Sequence, residues 1–361
     1  MGSVDMGKDL NLWVSGCCHV GTDMRVSGRR SLAEAIVQSE SGGSAGPRFD
    51  WDIGIHLGDF SGSQTTPGDQ EGMEVVRQFG VMREHAREDF YCLAGNHDAT
   101  RPGEETQWWF RKWIDPEGVN TEFSGVGERE YPIEGNWERY SFRVGNILFL
   151  MMSDRNHVGP PIGRGDRGGY PAGAVSEDTF RWWRDMVEEN QDRVIVSAHH
   201  HVLKETTVAS GPWEGFRREG GEWKPDYHGY FPDGAPEGAS YLYYVGDQPD
   251  SGAFERYLAS NPGSIDLWLG AHTHTNPEDR KGGRSHVESK WGVTFVNAAP
   301  LTRYHVASHA IPMSRLISFR EGSDRAVIRC YLHTSDFADQ GFYAPAERAV
   351  KLRSDYRDVG R

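Results

Sequence analysis

Five short groups of residues in this chain carry side chains that bind divalent transition metals, namely histidine, cysteine, aspartate and asparagine. In chain order they are Cys17-Cys18-His19, Gly58-Asp59, Gly95-Asn96-His97-Asp98, His199-His200-His201 and His272-Thr273-His274. Two metal ions held close together need a shared anionic bridge and several neutral nitrogen ligands. Asp59 is the candidate bridge. The other candidate ligands are Cys17, His19, Asn96, His199, His272 and His274.

Each of these groups follows an apolar run that is typical of a β-strand. The predicted strands cover residues 10–15, 52–57, 90–94, 193–198 and 264–269. Helical spacing of apolar residues at 30–40 and 70–87 separates the first three strands, which is the pattern of stacked βα units. Since the ends of strands in an α/β sheet converge on one edge, we expect the five groups to meet there.

The remaining segments extend this pattern. We expect a helix over 104–114, a hairpin over 139–152, a helix that begins after the N-cap Ser176, and later strands near 291–296, 315–319 and 326–332. Residues 159–173 and 203–250 are rich in Gly and fit neither period. We interpret residues 1–361 as a single catalytic domain, with an insertion at about 203–250 that forms a cap.

The order of the five groups resembles the calcineurin-like metallophosphoesterase superfamily. That family carries Asp-x-His, Gly-Asp, Gly-Asn-His-Asp/Glu, a later His and Gly-His-x-His, each after a β-strand. Here the resemblance extends from Cys17 to His274 and departs from the pattern at two positions. Cys17 stands where the family has Asp, and Ala271 stands where it has Gly.

The resemblance implies a four-layer α/β/β/α sandwich of two mixed sheets, with the metal site at one sheet edge. It implies that His19, Asp59 and His274 hold one metal, with Cys17 as a candidate fourth ligand. The second metal would be held by Asp59, Asn96, His199 and His272. His199 is chosen over His200 because it is the first histidine of its run.

The same resemblance assigns catalytic roles to two residues and a mechanism to the pair of metals. His97 would stand near the phosphoryl oxygens and the leaving group, and Asp98 would orient His97, balance its charge or fix the loop. Two cations neutralise the phosphoester and lower the pKa of a shared water, so that hydroxide attacks phosphorus while His97 assists the leaving group.

The thiol of Cys17 affects which metal ions we expect at the site. As a thiolate Cys17 matches the charge of the missing carboxylate, but soft sulfur prefers Zn or Fe to Mg or Mn. We therefore expect two divalent transition-metal ions, Zn, Fe or Mn, with Zn or Fe favoured at the Cys17 position. Cys18, Cys92 and Cys330 are interpreted as core residues.

Substrate contacts are predicted at four positions. His200 is a candidate contact, although structural hydrogen bonding is an equal alternative. Arg164, Arg167 and Tyr170 are candidates for binding a phosphate, and a solvated loop is the competing interpretation.

The composition of the chain favours one class of substrate over another. The formal net charge of −14 and the lack of a basic run favour a small phosphodiester or monoester over a nucleic-acid polymer. The polar N-terminus, the sparse cysteines and the lack of roughly 18 uninterrupted apolar residues predict a cytoplasmic protein with no membrane partner.

Three alternatives to a small-molecule phosphoesterase stay open: a nuclease of the same superfamily, a metalloenzyme with non-phosphate chemistry at a Cys-altered site, and a non-catalytic metal-binding protein. The oligomeric state is also open.

Overall fold

Two seven-stranded sheets form the centre of the fold. This computed structural model describes residues 8–43, 46–63, 66–98, 108–155, 173–211, 216–219, 222–225, 229–230, 236–237, 240–246, 252–305 and 310–358. In chain order the strands are β1 (Leu10–Ser15), β2 (Ile53–His56), β3 (Phe90–Cys92), β4 (Glu134–Asn136), β5 (Arg139–Val144), β6 (Ile147–Met152), β7 (Gly173–Val175), β8 (Val194–His199), β9 (Phe216–Glu219), β10 (Glu222–Pro225), β11 (Gly229–Tyr230), β12 (Pro236–Glu237), β13 (Leu242–Val245), β14 (Leu267–Gly270), β15 (Val287–Lys290), β16 (Val293–Asn297), β17 (Met313–Phe319), β18 (Arg325–Leu332), β19 (Gly341–Phe342) and β20 (Arg348–Lys351). The helices are α1 (Val20–Ser27), α2 (Ser31–Ser41), α3 (Asp69–Phe79), α4 (Trp108–Trp113), α5 (Thr121–Ser124), α6 (Glu177–Glu189) and α7 (Gly252–Ser260).

Both large sheets mix parallel and antiparallel strands. The first has the order β19-β18-β17-β1-β2-β3, with β20 beside β18, and its β1, β2 and β3 are parallel. The second has the order β15-β16-β14-β8-β6-β5-β4, with β16, β14, β8 and β6 parallel. The parallel centres place the ends of β1, β2, β3, β8 and β14, which precede the five polar groups, at corresponding edges.

Side chains point alternately to the two faces of each strand, and those on the inner faces form the core between the sheets. One face of β1 and β8 carries residues such as Leu12, Val14, Val194 and Val196, and these belong to one buried cluster with residues of the other central strands. Burial of this apolar surface from both sheets is the main driving force for stacking them.

The opposite faces of the sheets are covered by helices. On the first sheet Trp13 packs with Leu32 of α2 and Phe79 of α3. On the second, Trp183 of α6 packs with Trp268 and donates a 2.8 Å hydrogen bond to Ser197. The α/β/β/α sandwich predicted from the resemblance is therefore confirmed.

Four helices differ from the sequence prediction. The helix expected over 70–87 ends at Phe79, because the carboxylate of Glu40 accepts the backbone N–H groups of Arg83 and His85 and holds that segment in another conformation. Helices α1, α5 and α7 were not predicted. The buried positions of α1 are mostly polar, so it lacks an apolar stripe.

Parts of the predicted cap lie outside the described residues, and its position relative to the sheets stays a prediction. Within 203–250 the structure describes the short pairs β9–β10 and β11–β12, together with β13, which pairs with β7. Among the helices of the described residues, none is long and apolar enough to cross a membrane.

Candidate metal centre

The polar groups converge where the two sheets meet. The backbone N–H of Cys17 donates to Gly58, and that of His19 donates to Asp59, so the loops after β1 and β2 run side by side. In the second sheet the N–H of Ala271 donates to the carbonyl of His200, joining the loops after β8 and β14. Four loops thus deliver their side chains to one buried space.

The backbone at this edge is strained. Cys17, His19, Asp59 and His272 have φ values of 49°, 39°, 58° and 57°, in the left-handed region that side chains other than glycine rarely occupy. Such conformations cost of order 1–3 kcal/mol each and cluster at functional sites. Here the residues in this conformation turn the backbone sharply just after the strands end.

Two glycines of the sequence motifs are required by close packing. A Cβ atom at Gly58 would lie 2.2 Å from the nitrogen of Gly95, and one at Gly95 would lie 2.3 Å from Oδ1 of Asp59. Both distances are far below van der Waals contact. The two glycines therefore allow the loops after β2 and β3 to touch around Asp59.

Asp59 lies at the centre of the site. Its Oδ2 is 3.0 Å from Nε2 of His200 and 3.7 Å from Nε2 of His19, while Oδ1 accepts the backbone N–H of His97. Burial alone would raise the pKa of Asp59, but the surrounding imidazoles, His200 first, outweigh it and hold that pKa well below its ordinary value. The charged carboxylate is thus favoured between two groups of ligands.

The first group contains Cys17, His19 and His274, whose ligand atoms all lie within 4.8 Å of one another. Nδ1 of His19 donates to the carbonyl of Ser61, which leaves Nε2 to face Nε2 of His274 at 3.3 Å. Burial lowers the pKa of His19 well below its ordinary value and that of His274 to about 4, so both rings are neutral near pH 7.

The second group contains His200 and His272. Nδ1 of His200 donates to the carbonyl of Leu57, and its Nε2 lies 3.3 Å from Nδ1 of His272. Cys17, Asp59 and His200 form another set within 4.8 Å, so the thiol lies between the two groups. Asn96 is buried. It precedes His97, whose backbone N–H donates to Asp59 and so holds this loop against the carboxylate.

These residues fit transition-metal ions. Two nitrogen ligands at about 2.0–2.1 Å from a tetrahedral metal are about 3.3 Å apart, which is the spacing of both imidazole pairs. In the neutral pair His19 and His274, the two Nε2 atoms gain nothing from facing each other without a proton or a cation between them. Nδ1 of His274 is also buried without a hydrogen-bond partner among the described residues.

His199 is not in the predicted position. Val194, Val196 and Ala198 face the core between the sheets, so alternation along β8 puts His200 on that face and His199 on the other. The N–H of His201 donates to Nδ1 of His199, and the other ring nitrogen lies 4.0 Å from Asp154. The structure places His200 beside Asp59, where the sequence analysis put His199.

Asp98 holds the loops together. Its Oδ2 accepts the backbone N–H groups of Asp59 and Gly95, and its Oδ1 accepts that of Ser61. Burial, then the neighbouring Asp59, raise the pKa of Asp98 to about 7. Of the roles predicted for this residue, the geometry supports fixing the loops.

His97 lies beside the first group. Its Nδ1 donates to the carbonyl of Ser63 at 2.8 Å, which fixes the tautomer, and its ring meets that of His19 edge-on. His97, His19 and a third histidine, His305, have ligand atoms within 4.8 Å of one another.

His305 was not identified from the sequence. Its ring stacks on that of His19 with centroids 3.6 Å apart, and it meets His97 edge-on at 4.7 Å. The buried carboxylate of Asp23 accepts Thr302 Oγ1 and the N–H groups of Arg303 and Tyr304, which positions this loop. His305 belongs to no motif of fixed spacing, so no signal in the sequence pointed to it.

A second layer supports His272. The ring of His201 lies 4.0 Å from that of His272, and its Nδ1 lies 3.1 Å from Asp154. The ligand atoms of His200, His201 and His272 also lie within 4.8 Å of one another. Arg164, Arg167 and Tyr170 lie outside the described residues.

The family model described as calcineurin-like phosphoesterase matches residues 10–276. No curated protein matches the chain. Among solved structures the chain is similar to vacuolar protein sorting 29 from Cryptosporidium parvum, with 12% identity over 96% of this chain and 100% of that chain and a TM-score of 0.35. It is also similar to a double mutant of Vps29 from Entamoeba histolytica, with 10% identity over 95% and 100% of the chains and a TM-score of 0.32. Structural similarity at this level carries no argument about function.

Proposed function

The chain belongs to the calcineurin-like phosphoesterase family, and we propose that it hydrolyses phosphoesters with two divalent transition-metal ions. One observation carries the proposal: the Asp59 carboxylate lies between two groups of histidine nitrogens at metal-ligand spacing. This is the arrangement that a shared anionic bridge requires.

The residues divide between two ions. His19, His274 and Cys17 would complete one ion with Asp59, and His200, His272 and Asn96 would complete the other. When bound, the ions supply charge that neutralises the phosphoryl group and lowers the pKa of water. The left-handed backbone at Asp59 and His272, and the three hydrogen bonds of Asp98, hold these ligands in place before the substrate arrives.

His97 supplies proton chemistry. Because Nδ1 donates to the Ser63 carbonyl, any proton that His97 gives to a leaving group must come from Nε2. In its protonated state the ring also places a positive charge beside the phosphoryl oxygens. Removal of a general acid of this kind typically lowers turnover by about 10²–10⁴-fold.

Cys17 sets the metal preference. Burial, and then the neighbouring Asp59, raise the pKa of its thiol well above the ordinary value, so a bound ion must displace the proton. Soft thiolate favours Zn or Fe over Mn and Mg. A Cys17→Ala variant would therefore lose Zn or Fe from the first position, and full metal content and activity in this variant would contradict the ligand role.

The substrate we propose is a small phosphodiester or monoester. The ligand groups are largely buried, and the chain carries a net charge of −14, which disfavours a long polyanion.

The test is release of p-nitrophenol from bis-p-nitrophenyl phosphate and from p-nitrophenyl phosphate, with Mn, Zn, Fe and Ni. Wild type, His97→Ala and Asp59→Asn are compared, and the metal content of each is measured by mass spectrometry. We expect turnover by the wild type, loss of metal and activity in Asp59→Asn, and loss of activity with retained metal in His97→Ala. Metal-loaded wild type without turnover on either ester would overturn the proposal and favour a non-catalytic metal-binding protein.

A further inference from the structure

Three arginines line a pocket of about 240 Å³ away from the ligand groups. Arg280, Arg315 and Arg348 share its wall with Ser285, His286 and Tyr343. The pocket lies between the loop that follows His274 and the segment that enters β20.

Arg315 is the informative member because it is 1% exposed. Its Nε donates to the carbonyl of Asn297 at 3.2 Å, its Nη2 lies 3.8 Å from the sulfur of Met313, and it also bonds to the thiol of Cys330, so each of these partners is neutral. Among the described residues, no carboxylate lies within 4.0 Å of the charged nitrogens of Arg280, Arg315 or Arg348. A buried charge without a counter-charge is costly, which indicates that an external anion completes the site.

The surroundings are electropositive although the whole chain is acidic. His286, 4% exposed, has a pKa well below its ordinary value because of burial and then the nearby Arg315 and Arg280 cations. Arg348 is steadied by bonds from its Nη1 to the carbonyls of Pro345 and Glu347. The one acid in the wall, Glu278, accepts the hydroxyl of Tyr343.

We propose that this pocket binds a small phosphate-bearing anion at a site separate from the metal centre. Guanidinium groups present paired N–H donors that match phosphate oxygens. The volume lies below the roughly 300 Å³ at which drug-sized ligand pockets begin. A phosphate group with a few further atoms fits this space.

The pocket contacts the back of a metal-ligand loop. Nε2 of His286 lies 2.9 Å from Oγ1 of Thr275, and the carbonyl of His286 accepts the N–H of Asn297. The Asn297 side chain in turn donates to Thr273, between His272 and His274. An anion held by Arg315 and the residues beside His286 is therefore joined to the ligand loop through two hydrogen-bonded side chains.

Calorimetric titration of the metal-loaded protein with inorganic phosphate tests the proposal. Wild type should bind phosphate at the metal centre and at the pocket. The double variant Arg280→Gln/Arg348→Gln should lose about tenfold in affinity at one of the two sites and keep the other. These exposed or half-buried positions are chosen because a change at buried Arg315 endangers folding.

Two controls make the result specific. Arg320→Gln/Arg325→Gln removes the same charge at exposed positions elsewhere and should match the wild type, while Glu278→Gln should tighten binding at the pocket. If the metal centre binds no phosphate, a single wild-type site remains and should still be lost in the arginine double variant. Identical isotherms for the arginine double variant and its control would overturn the proposal, whatever the metal centre does.

Discussion

Replacement of Asp98 by asparagine separates a structural role from a catalytic one. The carboxylate accepts three buried backbone N–H groups, two at Oδ2 and one at Oδ1. Asparagine can place its oxygen where Oδ2 accepts the N–H groups of Asp59 and Gly95. Its NH₂ group then faces the N–H of Ser61, so two donors oppose each other. The variant removes one acceptor and the negative charge without changing the size of the side chain.

The expected cost follows from these three bonds. An orphaned buried N–H costs about 1–3 kcal/mol, and two bonds that change from a charged to a neutral acceptor weaken by about 1 kcal/mol each. These changes would lower the free energy of unfolding by about 3–5 kcal/mol at pH 8, but the neutral amide also relieves the buried charge beside Asp59 that raises the pKa of Asp98 to about 7, which offsets part of this loss. The loops that carry Asp59 and Asn96 should loosen with it, so metal affinity should fall as well.

The assay is guanidinium unfolding of the metal-free protein together with metal titration of the folded protein. Asp115→Asn is the matched control, because Asp115 is equally buried and accepts Val119 N–H, Asn120 N–H and the Ser124 hydroxyl far from the ligand groups. It should lose comparable stability and keep its metal affinity. An Asp98→Asn protein with wild-type stability and metal content but reduced turnover would refute this reasoning and assign Asp98 to His97.

Three further predictions concern histidines. His200→Ala should lose about one metal equivalent by mass spectrometry, because His200 contacts Asp59, whereas His199→Ala should keep both; the opposite result would restore the sequence-based choice. His305→Ala should weaken metal binding about two- to tenfold, since a stacked ring is worth about 0.5–1.5 kcal/mol, and His305→Phe should recover it; equal loss in both variants would contradict a stacking role. Burial lowers the pKa of His333 to about 3 from 6.5, so its neutral form stabilises the fold above pH 6.5 and that stability is lost as the pH falls. Between pH 6 and 4 the unfolding free energy of wild type should drop about 1.4 kcal/mol per pH unit more steeply than that of His333→Gln, and parallel slopes would refute this.

Strand positions and the grouping of ligands were predictable because both depend on local pattern. Short apolar runs that end in Gly-Asp or Gly-Asn-His-Asp set β2 and β3, and the parallel pairing that brings them together follows from the βα units between them. Even the choice of His200 was available, since alternation from Val194 through Ala198 points it into the core between the sheets. The sequence prediction followed the family position of the first histidine, whereas the structure places His200 beside Asp59, as the alternation along the strand indicates.

Other features depend on contacts between segments far apart in sequence. The early end of α3 depends on Glu40, and the position of His305 depends on Asp23, a residue of a helix without an apolar stripe. The three bonds of Asp98 are likewise visible only once the loops after β2 and β3 are placed together. The spacing of apolar residues cannot predict such hydrogen bonds, because they join one side chain to the backbone of a loop far away in sequence.

Anomalous X-ray scattering from crystals grown with Zn or Fe tests the central claim most directly. Two metal peaks are predicted, one on each side of the Asp59 carboxylate, with Sγ of Cys17 about 2.3 Å from at least one of them. His200, and not His199, should lie at about 2.0–2.1 Å from the second ion. A single peak, or two peaks that Asp59 does not join, would contradict a dinuclear centre in this protein.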